Sequence, residues 1–357
     1  MANLAERETK MADKRQGYYD KLTPNSLVPL WERMKGLVPP EPRNKTKAHV
    51  WKFEDTRPLL LEAGDLLTAQ EAERRVLVFE NPAFEGTSRI NSTLYAGMQL
   101  IMPGETAPAH RHVAGALRFI LESDRGYTTV NGERAEMKRG DVVITPGGTW
   151  HDHGHDGDGP CIWIDALDVP MVNFFEAGFS EELEEDQQEI TKKNGHSLAE
   201  FGSGMVPLDP VSPFGLNSPV FSYPYDRARE ALFALKKSVE ADPFNGFALR
   251  YANPLDGGWV MPMISAWLTH LTKGFQTAPY RSTDNQAVVV SEGSVTVEIG
   301  SETYVLKEND VMALPGWTWR TIKASEEAVL FFFSDRAAQE KLGIWKEQRG
   351  NDQNKIW

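Results

Sequence analysis

Short apolar runs broken by Gly, Pro and Asn dominate the middle of the chain, and they fall into two groups. The first, from about Val76 to Val169, contains Leu94 to Met102, Ala116 to Glu122, Tyr127 to Val130, Asp141 to Thr145 and Cys161 to Leu167. Each run has the length of a strand, and Val130-Asn131-Gly132-Glu133 carries the Asn-Gly signal of a tight hairpin. The second group holds Met261 to Leu268, Gln286 to Val290, Ser294 to Ile299, Asp310 to Leu314 and Val329 to Phe333. Short strands at this spacing predict a mainly β protein built from two small barrels or sandwiches.

Helical spacing is confined to the flanks. Tyr18, Tyr19, Leu22, Leu27, Leu30, Trp31, Met34 and Leu37 recur at uneven helical intervals before Pro39-Pro40 stops them, which predicts one or two helices packing on a neighbour as core or subunit interface. Residues 226 to 240 read as a short helix with Asp226 as its N-cap. The acidic stretch 176 to 200 reads as a solvated linker. These signals divide the chain into a helical extension (1–75), a first barrel (76–175), a linker with a helix (176–255), a second barrel (256–335) and a C-terminal helix with a loose tail (336–357).

The two barrels share a loop grammar. Gly104 is followed after five residues by His110-Arg111-His112, and Gly274 after five by Tyr280-Arg281-Ser282. Gly140 leads to Pro146-Gly147-Gly148-Thr149-Trp150-His151, answered by Pro315-Gly316-Trp317-Thr318-Trp319-Arg320. The offset is 170 residues at His110/Tyr280 and 169 at His151/Arg320. This is a duplicated unit in which one copy keeps three histidines and the other has none of them.

Composition narrows the class. At 357 residues the chain exceeds one usual domain, in agreement with the repeat. A formal charge of -13 opposes binding to a phosphate backbone, so no nucleic-acid partner is expected. The single cysteine, Cys161, excludes an internal disulfide and sulfur ligation of a metal cluster. The longest apolar candidate, Ala328 to Phe333, is strand-sized, and the charged start MANLAERETKMADKR lacks the apolar core of a secretory signal; no membrane partner and a cytoplasmic location are expected.

The retained histidines carry the chemistry. On a strand, His110 and His112 project from one face, and the Pro146 to Gly148 turn is suited to bring His151 to them from a neighbouring strand. Three imidazoles with open positions beside them suit non-haem Fe(II) and equally catalytic Zn. A dication without a protein carboxylate favours a chelating anion.

The two frames resemble the paired motifs of the cupin superfamily in a bicupin arrangement of two double-stranded β-helix (jelly-roll) barrels. Metal cupins commonly place a Glu four or five residues after the second His; here those positions are Ala116 and Leu117, which points to a three-histidine site. The stretch from Gly97 through His112, with Gly115-Ala116-Leu117-Arg118-Phe119, Thr149-Trp150-His151-Asp152-His153-Gly154-His155 and Trp163-Ile164-Asp165-Ala166-Leu167-Asp168, is similar to the gentisate 1,2-dioxygenase family, with its salicylate and 1-hydroxy-2-naphthoate dioxygenase relatives. The resemblance covers most of the chain. It implies one Fe(II) per chain on His110, His112 and His151, a small aromatic hydroxy-acid substrate, O2, ring opening of gentisate to maleylpyruvate, and a homotetramer.

Further roles follow around that set. Arg118, six residues past His112, is expected to face the cavity and pair with a substrate carboxylate; Arg74 is a second candidate, although Arg75 would serve as well. His153 shares strand parity with His151 and is a candidate for a proton-transfer role, Asp165 for orienting it or acting as base, and Gln99 for donating to substrate or oxygen. Tyr95 and Trp150 are expected as pocket wall, and His155 and Asp152 as solvated loop with no accessory metal site. The second barrel is expected to serve packing and association, because Arg320 repels a cation. Salicylate or 1-hydroxy-2-naphthoate cleavage, a non-catalytic metal-containing bicupin binding protein, and a Zn or Mn cupin hydrolase or isomerase remain alternatives.

Overall fold

The computed structural model describes residues 4–210 and 214–350, in two compact units, Met1–Arg43 and Asn44–Trp357. The first unit contains helices Leu4–Leu22 and Leu30–Leu37, joined by a hydrogen bond from Trp31 Nε1 to Tyr19 Oη of 3.0 Å. Tyr18, Leu30, Trp31, Met34 and Leu37 are exposed on it, so of the two expected roles, core or subunit interface, the stripe does not serve as core within the chain.

The second unit contains two equivalent barrels of eight strands each. The first barrel runs β1 (Tyr95–Ile101), β2 (Thr106–His112), β3 (Ala116–Glu122), β4 (Gly126–Val130), β5 (Glu133–Glu136), β6 (Val142–Thr145), β7 (His151–His155) and β8 (Cys161–Leu167). The second runs β9 (Ser265–Leu271), β10 (Tyr280–Ser282), β11 (Gln286–Glu292), β12 (Ser294–Ile299), β13 (Glu302–Lys307), β14 (Val311–Leu314), β15 (Arg320–Ala324) and β16 (Ala328–Ser334). Strand order is β6-β3-β8-β1 facing β2-β7-β4-β5 in the first, and β14-β11-β16-β9 facing β10-β15-β12-β13 in the second. The repeat seen in the loops is therefore a repeat of topology.

Mainly apolar runs in β3, β8, β11 and β16 reflect burial on both faces. One face of each lines its own barrel, and the other packs against the neighbouring barrel, where Phe119 stacks on Phe331 at 4.3 Å between ring centroids. The interior of the second barrel is filled by Val288, Val290, Val295, Val297, Leu314 and their neighbours. That of the first has a smaller apolar plug around Ile101, Ile120, Cys161 and Trp163, and polar side chains occupy the rest.

Several segments outside the barrels add strands to them. Val76–Val78 pairs with β1 and Ser222–Tyr223 with β6, whereas His49–Trp51 pairs with β14 and Phe247–Arg250 with β9. Strands thus occur within the stretches read as helical extension and linker, and they protect sheet edges. The acidic stretch is largely exposed, as expected of a solvated segment, yet it is also a strap: Ser180–Glu182 pairs with β2, Gln188 N–H donates to Asp152 at 3.0 Å, and Ser197 donates to the buried Glu133.

Three local expectations change. The helix of the linker is Tyr225–Ser238 with Pro224 at the N-cap, so Asp226 lies in its first turn, and the Tyr225 N–H is taken instead by Asp141 at 2.8 Å. β9 starts after Pro262, which cannot donate to a ladder, and runs on through Thr269, His270 and Leu271. After helix Arg336–Lys341 the chain returns as strand Glu347–Arg349 on β10 in place of a loose tail; residues 351–357 lie outside the described residues.

Candidate metal centre

Alternation along β2 turns His110 and His112 toward the barrel interior, while Arg111 between them points outward to Glu181. His151 opens β7, and the register sets it directly opposite His110. The turn before it is clamped to the chain leaving β2. Gly148, at φ 79°, donates to the His112 carbonyl at 2.7 Å, and a Cβ on Gly147 would lie 2.2 Å from the Val113 carbonyl oxygen.

The three side chains each offer one nitrogen within 4.8 Å of the others, with ring centroids 4.2 to 5.2 Å apart. Nδ1 of His112 faces the Ala114 carbonyl at 2.7 Å and Nδ1 of His151 the Thr149 carbonyl at 3.0 Å, contacts that assign the proton to Nδ1 and turn Nε2 inward. His110 Nδ1 lies 3.4 Å from the Pro108 carbonyl and also against the Arg74 guanidinium. Burial, reinforced by Arg74 and His112, pushes His110 down to about 3; burial also lowers His112 and holds His151 far below its ordinary value. Three neutral imidazoles without a carboxylate fit a divalent metal with open positions.

A charged wall stands beside them. Arg118 is 3% exposed; its Nη1 donates to Thr145 Oγ1 at 2.5 Å and its Nη2 lies 3.4 Å from His153 Nε2. Its Nε is 3.1 Å from Asp165 Oδ1, but the two atoms are misaligned and neither completes a hydrogen bond. Burial drives Asp165 upward while Arg118 opposes it. His153 Nδ1 bonds Thr128 Oγ1 at 2.9 Å, and burial keeps this ring neutral, with Arg118 adding to the effect. His153 is therefore held by Thr128 and Arg118, and the expected orienting contact from Asp165 goes to Arg118 instead.

The ambiguity between adjacent arginines is resolved by geometry. Arg74 donates to the Pro108 carbonyl at 2.6 Å and meets His110, whereas Arg75 makes a two-pronged ion pair with Glu105, both contacts 2.8 Å, away from the histidines. Burial lowers Arg74 to about 10, with Arg118 contributing. Gln99 is buried on β1 opposite Trp163 and shares a face with Ile101, so it belongs to the interior, although it touches none of the histidines through a hydrogen bond among the described residues. Burial raises the Tyr95 phenol, and the charge of Asp165 adds to the effect; Trp150 stacks with Arg111 outside the histidine cluster.

Asp152 and His155, expected in a solvated loop, are buried on β7. Asp152 is engaged by the strap at Gln188, and His155 Nδ1 accepts the Gly157 N–H at 2.9 Å; neither joins the metal cluster. Thr128 and Thr145 escaped the sequence reading. Their signal was a hydroxyl on the interior parity of β4 and β6, visible only once the facing strand was known.

A family model described as a cupin domain matches residues 97–168. The chain is 49% identical over 336 residues to a gentisate 1,2-dioxygenase of Aquipseudomonas alcaligenes, covering 94% of this chain and 96% of that protein. It is 36% identical to a gentisate 1,2-dioxygenase of Ralstonia sp, with 96% of both chains covered. Among solved structures it superposes on the salicylate 1,2-dioxygenase of Pseudoaminobacter salicylatoxidans in its gentisate adducts, with a TM-score of 0.89, 31% identity, and 95% of this chain and 94% of that chain covered.

Proposed function

The chain belongs to the gentisate 1,2-dioxygenase family and is a ring-cleaving dioxygenase, and from that premise we propose that it opens gentisate (2,5-dihydroxybenzoate) with O2 to maleylpyruvate at an Fe(II) held by His110, His112 and His151. The observation that carries this reading is a neutral three-imidazole set beside two guanidiniums, the half-buried Arg74 and the buried Arg118. Such a site is deficient in negative charge, which a substrate carboxylate and phenolate restore. When bound, the metal supplies the meeting point for the chelated ring and O2.

The protein's own groups then divide the remaining work. Arg118 is the carboxylate anchor, since its misaligned contact with Asp165 leaves Nε free to turn toward an incoming anion, and Arg74 adds charge from the other side of His110. His153 has Nδ1 committed to Thr128 and Nε2 facing Arg118, so once Arg118 turns to the substrate carboxylate Nε2 is left as proton acceptor for a ring hydroxyl. Asp165 balances the charge of Arg118, and Gln99 offers its carboxamide to the bound ring.

Two measurements test the reading. Oxygen uptake by iron-loaded protein is expected with gentisate, accompanied by absorbance of a ring-opened keto acid; uptake with salicylate or 1-hydroxy-2-naphthoate but not gentisate would reassign the substrate, and none with any of them would leave only a binding role. Metal analysis is expected to show iron, and Zn or Mn with full activity would overturn its identity. Among the described residues no helix is long and apolar enough to cross a membrane. Exposed Phe174, Phe175, Leu342 and Ile344 support association into the expected cytoplasmic homotetramer, which light scattering on the eluting protein would check.

A further inference from the structure

The second barrel lost the metal ligands but kept their place. Tyr280 pairs with Arg320 across β10 and β15 as His110 pairs with His151 across β2 and β7, so Arg320 stands where the first barrel has its third imidazole. The position after the missing ligands, where cupins place a Glu and the first barrel has Ala116, is Gln286. Its Oε1 accepts from Arg320 at 2.7 Å.

Arg320 is only 6% exposed, and its Nη1 is buried with no hydrogen-bond partner among the described residues. The acidic groups that act on it are the Tyr280 phenol, over whose ring it lies at 5.0 Å, and Asp284, whose two oxygens accept from Gln286 Nε2 and Trp345 Nε1, each at 2.9 Å. Among the described residues this guanidinium has no direct counter-ion, which is costly unless an anion joins it.

Arg320 opens onto a cavity of about 280 Å³, close to the lower end of small-ligand pockets. Its walls include Trp259, Tyr280 and the parallel pair Trp267 and Phe332, whose ring centroids are 4.9 Å apart. At the rim, Arg250 lies 5.2 Å over Trp259 and is exposed. A buried cation at the base, flat apolar walls and a cation at the entrance match a planar acid: the anionic end meets Arg320 and the ring lies against the aromatic side chains.

We propose that the second barrel is a metal-free binding site for a small aromatic carboxylate, anchored by Arg320. Arg320 supplies as a fixed side chain the positive charge that the first barrel's histidines would gather as a metal ion, so the duplicated unit keeps its preference for anions while giving up redox chemistry. This does not depend on which ring the first barrel opens.

The test is titration calorimetry on the full iron-loaded chain with benzoate, which lacks the hydroxyl needed for chelation, and with acetate. The wild type is expected to show a saturable benzoate component that Arg320→Met abolishes and that acetate does not reproduce. Ala248→Phe, at the cavity wall, leaves Arg320 in place and is expected to abolish the same component by filling the space, which keeps the test decisive if the Arg320 variant fails to fold. Both variants should retain oxygen uptake at the first barrel. Absence of saturable benzoate binding to the wild type, or titrations of wild type and folded variants that superimpose, would overturn the proposal; acetate binding equal to benzoate would remove its aromatic part.

Discussion

Single residues act here mainly through burial. His110→Ala is expected to remove bound metal and oxygen uptake together, because two imidazoles are left to hold the ion; metal analysis of the purified variant checks it, and iron retained at wild-type level would refute the ligand set. Arg118→Met should keep the metal and raise the half-saturation for substrate, since a charge-assisted bond is worth about 1.5–3 kcal/mol, with part of the loss recovered in Arg118→Lys; steady-state oxygen uptake gives the split between kcat and KM. Asp168 makes a different point. Burial pushes it up to about 7 although Gly115 N–H donates to it at 2.9 Å. A carboxyl whose folded value is raised holds its proton longer folded than unfolded, so its stabilisation is present at acid pH and is lost as pH rises from about 4 toward 7. Asp168→Asn should therefore gain melting temperature relative to wild type at pH 7.5 more than at pH 5, and a shift of equal size at both would show that Asp168 is ionised throughout.

At the scale of elements, the turn between β6 and β7 is the device that converts a common frame into a metal site. Gly147 fits only because it lacks a side chain, its would-be Cβ falling 2.2 Å from the Val113 carbonyl oxygen. Gly147→Ala is expected to push this turn off the chain leaving β2, separate His151 from His112 and lower metal occupancy while circular dichroism stays that of a β protein; full occupancy would show the clamp to be dispensable. The second barrel makes the same turn with Trp317 at φ 56°, its N–H bonded to Ser282 as Gly148 is to His112. The turn thus belongs to the fold, and a non-glycine residue tolerates its positive φ at some strain. The elements readable from the sequence were those marked by a local run of mainly apolar residues or by alternation between turn signals: β3, β8 and β12 have the ends expected of them. β7 was missed as a strand beyond its first histidines because Asp152 and His155 are polar, and their burial depends on a strap contributed by residues far along the chain.

At the scale of the whole molecule, the two barrels share one apolar layer, and each receives an edge strand from a segment outside itself. Phe331→Ala, which removes half of the Phe119 stack, is expected to cost about 3–5 kcal/mol and to lower a single calorimetric transition, without releasing the second barrel as an independent unfolding unit; two resolved transitions would refute the shared core. The sequence by itself determined the duplication, most strands of both barrels and the three histidines that converge in the first, because each rests on short-range chemistry: alternation with period two, Gly and Pro at turns, imidazoles at fixed spacing. The tertiary structure alone decided that Arg74 and not Arg75 faces His110, that Asp165 serves Arg118 rather than His153, and that Arg320 lies buried beside a cavity with one nitrogen unpartnered among the described residues. Those outcomes depend on which distant strands bring charges, walls and open space together, and that information resides in contacts between residues far apart in the chain.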